Sequence, residues 1–461
     1  MSENKVVVKE LEINEEKTSE VVAEENKKLE ESLKPKLDPE MLKKLKEKQT
    51  GVKEEKVKAI AKRDRSLYFG VVGLGQAGSR VAEIFYELGY DSCVFNTATQ
   101  DLEYIKLPDN KKIFLPFALG GAGKELDNGR QAIEQNAELI LEKLNDNFNE
   151  NNEMLFLCVS GGGGTGSGGA EAILGLMASL GKPIGVIYVL PMESEDALSK
   201  HNSILTLSRL AKMASNDVIT PLIVVDNSKI ELIYPGLSKA DFWDTANRAI
   251  VNPLHIFNHL SAMPTKYESL DSMDLTRLIT QPDCTIFGML EVENYMETTA
   301  IAEAVIENLE FGLLASDFNL KETRFGGYIV VANAETLRRL PSVNIDYASH
   351  VVSEACDSPS LVHGVYEMDM EDDVVRVYTL FAGLGLPSVR IEALKKQAES
   401  QMEIVRQKEK SRASKMNIDY GTGNDTQNKS KEIHRLIEQK KSGFGKITAS
   451  AGKRIIDRRK R

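Results

Sequence analysis

The stretch MLFLCVSGGGGTGSGG, residues 154–169, decides how this chain folds. Its first six residues are apolar, as in a strand that is buried on both faces, and seven of the other ten are glycines. Glycine lets consecutive backbone N–H groups converge on an anion, and Thr165 and Ser167 can add hydroxyl donors. A helix is predicted from about Ala170, and helix N-termini favour negative charge. The stretch therefore predicts a phosphate-binding loop between a strand and a helix.

In chain order, the loop at 160–169 is the second glycine loop. The first, GLGQAG at residues 73–78, follows a strand-like run and opens a helical stretch. Taken alone, its GxGxxG pattern is equally typical of a dinucleotide-binding oxidoreductase. Two such loops on neighbouring strands favour a different ligand, a di- or triphosphate that both loops wrap. The sequence contains no GxxxxGK[ST], which excludes a P-loop enzyme.

Composition indicates an ordinary soluble protein with two or three domains. The chain has 461 residues, of which 42% are hydrophobic and 28% charged. No apolar run approaches the ~20 residues that cross a bilayer, and the N-terminus has no secretory pattern. The four cysteines are scattered without metal-binding spacing, as in a reduced environment. These features predict a cytoplasmic protein that has no membrane partner.

The net charge of −11 is unevenly distributed. Residues 1–65 carry 17 basic and 16 acidic side chains, whereas residues 431–461 carry 11 basic and 3 acidic ones. The body between them is strongly acidic, which argues against DNA binding by the body. The basic end can contact an anionic partner, or it can be an inert solubilising segment.

The pattern of apolar runs divides the chain into five predicted segments. Residues 1–65 lack aromatic side chains and are predicted to be a charged, disordered or transiently helical extension. Residues 66–262 alternate strands and helices, which predicts a Rossmann-like α/β domain with a mainly parallel sheet, ended by a long central helix at 239–260. Its predicted strands are 67–72, 92–95, 154–159, 184–190 and 222–225. A second α/β domain is expected at 263–390, with strands at 285–292, 327–332, 361–367 and 374–381 and helices at 297–311 and 335–340. A long C-terminal helix follows at 391–415, and a flexible basic tail at 416–461.

The glycine loops resemble those of a known family. GGGTGSG at 162–168 matches the GGGTG[ST]G signature of tubulin and FtsZ, and on this signature the chain is identified as a member of the tubulin/FtsZ superfamily of GTPases. GQAG at 75–78 resembles the first loop of α-tubulin, and GGAG at 120–123 resembles the loop that senses the γ-phosphate. The resemblance covers about residues 66–390 and implies GTP and GDP as ligands, with Mg²⁺ on their phosphates. The residues that it assigns to the phosphates are Gly75, Gln76, Ala77, Asn96, Gly121, Ala122, Gly123, Gly162, Gly163, Gly164, Thr165, Gly166 and Ser167.

Two further segments resemble the ribose and base contacts of the family. Glu195 stands at the ribose-contacting position, and an arginine that the family has one turn later is replaced by Ser199, which Lys200 follows. This replacement leaves open which residue supplies the cationic contact. Asn227 lies in the segment that resembles the base-binding loop, and its amide can read a guanine edge.

Trp243 and Asn247 complete the implied base site. They lie four residues apart, on one face of the predicted central helix. They match the aromatic residue that stacks on the base and the residue that pairs with it. Trp243 is also compatible with an ordinary core position.

Asp271 and Asp274 follow the central helix in the sequence SLDSMDL. Two carboxylates three residues apart lie on one helix face, or they can be an N-cap with a first-turn acid. Their position resembles the catalytic loop of the family, although Ser269 stands where the family has Asn. That loop reaches into the next subunit and orients a water molecule on its γ-phosphate. The resemblance therefore implies a GTPase that polymerises head to tail into filaments.

Three stretches, at 190–195, 225–229 and 377–387, resemble the TubZ branch, whose members segregate plasmid or phage DNA. This implies that the tail at 431–461 meets an adaptor of the TubR type, or DNA directly, with Phe444, Ile455 and Ile456 as candidate apolar anchors. A phage spindle protein and an FtsZ-like division filament remain alternatives. A nucleotide-binding oxidoreductase of the NAD type would leave the second loop and the aspartate pair without a role.

Overall fold

The computed structural model describes residues 63–117, 120–234, 236–312, 314, 317–357 and 360–416. The predicted extension therefore lies outside the described residues except for its last three, and the predicted tail except for its first. Among the helices of the described ranges, length and hydropathy together exclude a membrane span.

One sheet organises the molecule, and the described residues contribute ten strands to it. They are β1 (Phe69–Leu74), β2 (Asp91–Asn96), β3 (Lys112–Phe114), β4 (Met154–Ser160), β5 (Ile184–Leu190), β6 (Leu222–Asp226), β7 (Cys284–Val292), β8 (Phe325–Ala332), β9 (Ser360–Glu367) and β10 (Val375–Leu384). Their order is β3-β2-β1-β4-β5-β6-β7-β10-β8-β9. All pairs from β3 to β7 are parallel, β10 is antiparallel to both neighbours, and β8 pairs with β9 in parallel. The predicted α/β class with a mainly parallel sheet is confirmed.

Helices cover both faces of this sheet. Those of the described ranges are α1 (Gly75–Glu87), α2 (Thr99–Glu103), α3 (Leu126–Gln135), α4 (Ala137–Asn147), α5 (Gly164–Ala178), α6 (Ala197–Ser215), α7 (Asn227–Ile233), α8 (Lys239–Leu260), α9 (Ser272–Ile279), α10 (Ala300–Phe311), α11 (Ala334–Arg339), α12 (Ser342–Ala355) and α13 (Ser388–Met416). One apolar core contains side chains of α3 to α6, α10, α12 and α13, and the other contains side chains of α1, α2, α8 and α9. Strand β5 is buried along its whole length, as expected between two helical layers.

The helix after the second glycine loop begins at Gly164, six residues earlier than the sequence predicts. Glycine disfavours helix in isolation, so propensity alone places the start too late. Here the glycines allow α3 and α5 to pack backbone against backbone. A Cβ atom at Gly129 would stand 2.1 Å from the Gly164 oxygen, and one at Gly168 would stand 2.1 Å from the Leu126 oxygen. Close packing therefore overrides the local preference.

The two groups of strands meet at a short junction. Strands β6 and β7 pair only through Leu222 and Cys284. The long helix α8, predicted at the residues where it is found, connects them in the chain. The boundary between two domains at 262 and 263 stays a prediction.

The start of α13 is fixed to the end of β6 by a buried ion pair. The Nε atom of Arg390 lies 2.5 Å from Oδ2 of Asp226, and its Nη2 atom lies 3.1 Å from Oδ1 and 3.1 Å from the hydroxyl of Ser228. The two charged side chains are 11% and 6% exposed. The C-terminal helix is thus attached next to Asn227, which begins α7.

We expect Arg390→Met to lower the free energy of unfolding by about 3–5 kcal/mol, because it leaves the Asp226 carboxylate buried without its cation. Chemical denaturation followed by circular dichroism measures this change. Arg209→Met is the control, because it removes a half-exposed pair with Glu171 and should cost less than about 1 kcal/mol. Equal small losses from both variants would contradict the assignment.

Candidate nucleotide site

A cavity of about 430 Å³ lies at the carboxyl ends of β1, β2, β4, β5 and β6. This is the edge where open parallel sheets bind ligands, and the volume is in the range of small-molecule sites. The predicted residues that line it are Gly75, Gln76, Ala77, Asn96, Gly121, Ala122, Gly162, Gly163, Gly164, Thr165, Gly166, Glu195, Asn227, Trp243 and Asn247. Gly123 and Ser167 do not line it.

The first two glycine loops touch each other below the cavity. Gly75 has a φ of 71°, and a Cβ atom there would lie 3.2 Å from the Gly166 nitrogen. Helix α1 approaches β4 even more closely, because a Cβ atom at Gly78 would stand 2.0 Å from the Cys158 oxygen. The first turns of α1 and α5 therefore both lie at the cavity, where their backbone N–H groups have no partner within the helix and favour an anion.

The two hydroxyls predicted in the second loop behave differently. The Thr165 hydroxyl lies 2.7 Å from that of Thr97, at the wall of the cavity. The Ser167 hydroxyl donates to the Gly163 oxygen one turn back, and the side chain is buried. Serine inside a helix commonly bonds to its own backbone in this way. In this structure the Ser167 hydroxyl is therefore bonded to its own helix, and its role at the phosphates stays a prediction.

The third loop contributes a cation that the motifs did not indicate. Gly120, Gly121 and Gly123 have positive φ angles, and so does Lys124. The Lys124 ammonium lies 2.8 Å from the Ser199 hydroxyl and also donates to the carboxylate of Asp196. Of the described residues that line the cavity, Lys124 and Arg80 are the two cations. Lys124 is the one that lies at the glycine loops, since Arg80 lies over Trp243.

Lys200, the cation nearest in sequence to the replaced arginine, is not available to the cavity. It is 1% exposed, and its Nζ atom donates to the Glu193 oxygen at 2.7 Å. The Lys124 ammonium instead reaches the Ser199 hydroxyl from another loop. Burial alone would raise the pKa of Asp196, but its contacts with Lys124 and the Ser199 N–H lower it. The Asp196 carboxylate is therefore ionised at neutral pH.

The opposite end of the cavity is aromatic and amide-rich. The Arg80 guanidinium lies 5.5 Å from the centre of the Trp243 ring, and Asn247 is one turn further along α8. Asn227 lines the same end. Such a combination of a flat apolar ring with amides suits a purine base.

Asp101 is a second residue that the motifs missed. Its two oxygens accept from Gln76 Nε2 at 3.1 Å and from Asn96 Nδ2 at 3.0 Å. It thus holds two predicted phosphate-site residues against each other. On the ribose side, the Glu195 carboxylate accepts from the Met192 N–H at 3.1 Å.

Asp271 and Asp274 lie far from this cavity, on the side of the sheet where the parallel strands have their amino ends. Asp271 is the N-cap of α9, and the two aspartates form a reciprocal capping box. The neighbouring Ser272 hydroxyl lies 2.7 Å from that of Ser66, which precedes the amino end of β1. Of the two arrangements that the sequence left open, the structure shows the N-cap with a first-turn acid, because Asp271 has extended backbone before the helix begins. Asp271 is exposed to solvent and Asp274 is partly exposed.

Comparison with known proteins agrees with this architecture. Residues 68–235 match the model of the Tubulin/FtsZ family, GTPase domain. The tubulin-like protein CetZ of Thermococcus kodakarensis is 26% identical over 329 residues, which are 68% of this chain and 81% of that protein. The tubulin-like protein TubZ of Bacillus cereus is 23% identical over 359 residues, which are 70% of this chain and 80% of that protein.

A solved structure shares the fold. It is a GTPγS-form protofilament of TubZ from Bacillus thuringiensis serovar israelensis, with a TM-score of 0.66 and 20% identity, and the match covers 77% of this chain and 96% of that one. The expected resemblance to TubZ is confirmed, and CetZ is a relative that the motifs did not indicate. The chain therefore carries a GTPase domain of the tubulin/FtsZ family at residues 68–235, within a tubulin/FtsZ-like fold.

Proposed function

We propose that this protein binds GTP, polymerises head to tail into filaments, and hydrolyses GTP where two subunits meet. The observation that carries the proposal is the separation of the cavity from the Asp271/Asp274 pair. The cavity lies at the carboxyl ends of the parallel strands, and the pair lies at their amino ends. A subunit with these groups at opposite ends cannot bring them together within itself. Stacking a second copy end to end does so.

The cavity supports a guanine nucleotide as the ligand. Backbone N–H groups at two helix N-termini and the Lys124 ammonium face the phosphate end, while Trp243, Asn227 and Asn247 form the base end. We assign the 17 predicted nucleotide-binding residues to the binding of this nucleotide, apart from the Ser167 hydroxyl. Mg²⁺ would be held through the nucleotide phosphates, whose charge it neutralises when bound, since the described residues include no cluster of three or more His, Cys, Asp or Glu side chains that could hold a metal ion.

The aspartate pair would act on the nucleotide of the neighbouring subunit. A carboxylate accepts the protons of a water molecule and directs its lone pair at the terminal phosphate. The capping box fixes the backbone of both residues while leaving the carboxylates at the surface. Because the contact is heterologous, it continues from subunit to subunit instead of closing. The TubZ structure with the same fold is itself a protofilament.

We further propose that the filament segregates DNA in the cytoplasm. The support is the resemblance to TubZ together with the basic charge of residues 431–461, which lie outside the described residues and would contact a TubR-type adaptor or DNA. A positioning or division filament is the second candidate, since CetZ and FtsZ are also relatives.

Phosphate release against protein concentration, with GTP and with ATP, tests the main proposal beside light scattering for polymer. We expect release with GTP only, rising more steeply than linearly and in step with scattering. Release that is linear in protein without polymer would show a self-contained enzyme and overturn the filament mechanism.

Asp271→Asn should retain GTP binding and polymer but reduce turnover by at least about a hundredfold, because it removes the charge that orients water. Asparagine keeps the N-cap, so α9 should stay intact. Asp274→Asn should behave in the same way, and Asp369→Asn, a change in a separate acidic loop, is the control. Hydrolysis at the parental rate in either of the first two variants would refute their catalytic assignment.

Lys124→Met should weaken GTP binding by about ten- to hundredfold, because a charged hydrogen bond to phosphate is lost. Fluorescent nucleotide titration measures the affinity. Lys124→Arg should retain most of it. Lys112→Met, which removes a cation on β3 paired with Asp109, should bind normally. Unchanged affinity in Lys124→Met would remove this residue from the site.

Deleting residues 431–461 should leave GTP-dependent assembly unchanged and abolish binding to an adaptor or to DNA. Co-sedimentation of filaments with DNA, at two salt concentrations, measures the second property, since phosphate contacts weaken with salt. Unchanged DNA or adaptor binding by the shortened protein would show that the tail is inert.

A further inference from the structure

The segment that carries Asp271 lies along the outer edge of β9, which is the last strand of the sheet. The Thr265 hydroxyl donates to the Val365 oxygen at 2.6 Å, and the Val365 N–H donates to the Glu268 oxygen at 2.8 Å. The Glu268 side chain in turn contacts His363 on the same strand. Residues 265–270 are thus attached to β9 by backbone and side-chain contacts immediately before Asp271.

The contact nearest to Asp271 in this segment is made by one buried side chain, the phenol of Tyr366. The Tyr366 hydroxyl accepts from the Leu270 N–H at 3.1 Å and donates to the Leu270 oxygen at 2.8 Å. Tyr366 is 2% exposed and Leu270 is fully buried. Burial raises the pKa of Tyr366 to about 12, so its proton is present at neutral pH. The backbone N–H and the carbonyl oxygen of Leu270 are therefore both hydrogen-bonded to the Tyr366 hydroxyl.

The strand is shaped to let this residue approach. A Cβ atom at Gly364 would stand 2.9 Å from the Leu270 nitrogen and 2.6 Å from the Tyr366 ring. The backbone of Leu270 therefore packs directly against β9, where the Tyr366 hydroxyl can reach it. Since Asp271 is the next residue and begins the capping box, the orientation of the Leu270 peptide sets where both carboxylates point.

We propose that Tyr366 is a positioning residue for the Asp271/Asp274 pair. This inference rests on the proposed function, because it concerns how that pair is aimed at the neighbouring subunit. The Tyr366 hydroxyl is hydrogen-bonded to the Leu270 backbone and acts on the pair through that backbone. A rigid backbone is required because water attack depends on carboxylate position, and a displacement of 1 Å can cost on the order of a hundredfold in rate.

The test uses the full chain with Tyr366→Phe, which removes one oxygen and keeps the ring in the core. GTP hydrolysis is measured per polymerised subunit at saturating GTP, beside GTP affinity, critical concentration and amide exchange of residues 265–274. We expect kcat to fall about tenfold, GTP affinity and critical concentration to stay within about twofold, and the Leu270 amide to exchange faster.

Tyr295→Phe is the matched control. Tyr295 is also a buried tyrosine of the second half of the chain, and its hydroxyl donates to Asp373 at 2.9 Å, away from the 265–271 segment. Its kcat and the exchange of residues 265–274 should equal those of the parent. A joint loss of affinity, assembly and rate in Tyr366→Phe would show that Tyr366 serves the fold as a whole and would overturn the inference.

The remaining outcomes separate this inference from the proposed function. If the parent shows no polymer-dependent hydrolysis, the proposed function fails. If the parent hydrolyses GTP and Asp271→Asn does not, but Tyr366→Phe works at the parental rate, only the positioning role fails. Should Tyr366→Phe not fold, Thr265→Val loosens the other end of the segment. It should speed exchange and lower kcat about twofold, and parental values of both would refute the inference.

Discussion

Gly78 lies against the carbonyl oxygen of Cys158, and Gly129 lies against that of Gly164, so closely that a Cβ atom at either glycine would stand 2.0 or 2.1 Å from the oxygen. Backbone packed on backbone at these points brings α1, α3 and α5 together around β4. The N-termini of α1 and α5 then meet at one cavity, and their N–H groups create a positive potential that separate helices would not create. The candidate site thus depends on contacts that only glycine permits.

Much of the sheet could be predicted from the sequence because its strands are continuous apolar runs. The central helix α8 was predicted at its observed residues for a similar reason, namely a long stretch with helical periodicity. Strand β3 is not indicated by the sequence because it has three residues. Helix α12 is not indicated because only Asn344, Ala348 and Val352 are buried in it, which is too narrow a stripe to give an apolar pattern. The start of α5 was placed late because its glycines serve packing with α3, which no local rule contains.

In the site, the sequence indicated residues that belong to short motifs and missed residues that act across the fold. Lys124 reaches Ser199 across 75 positions of the chain, and Tyr366 reaches Leu270 across 96. Asp101 lies closer in sequence but carries no motif. Such partners become visible only when the topology brings their elements together. The Lys124 ammonium, which lies beside Ser199 where the family has an arginine, is an example of such a partner.

The attachment of residues 265–270 to β9 has a consequence for the behaviour of the protein in solution. An outermost strand offers unpaired backbone groups to any extended chain, and such edges promote aggregation unless they are covered. Here the segment leading to the aspartates occupies part of that edge and satisfies the Val365 N–H. A change that releases this segment would also uncover a template for strand addition. The backbone that carries the two aspartates therefore also protects the edge of the sheet.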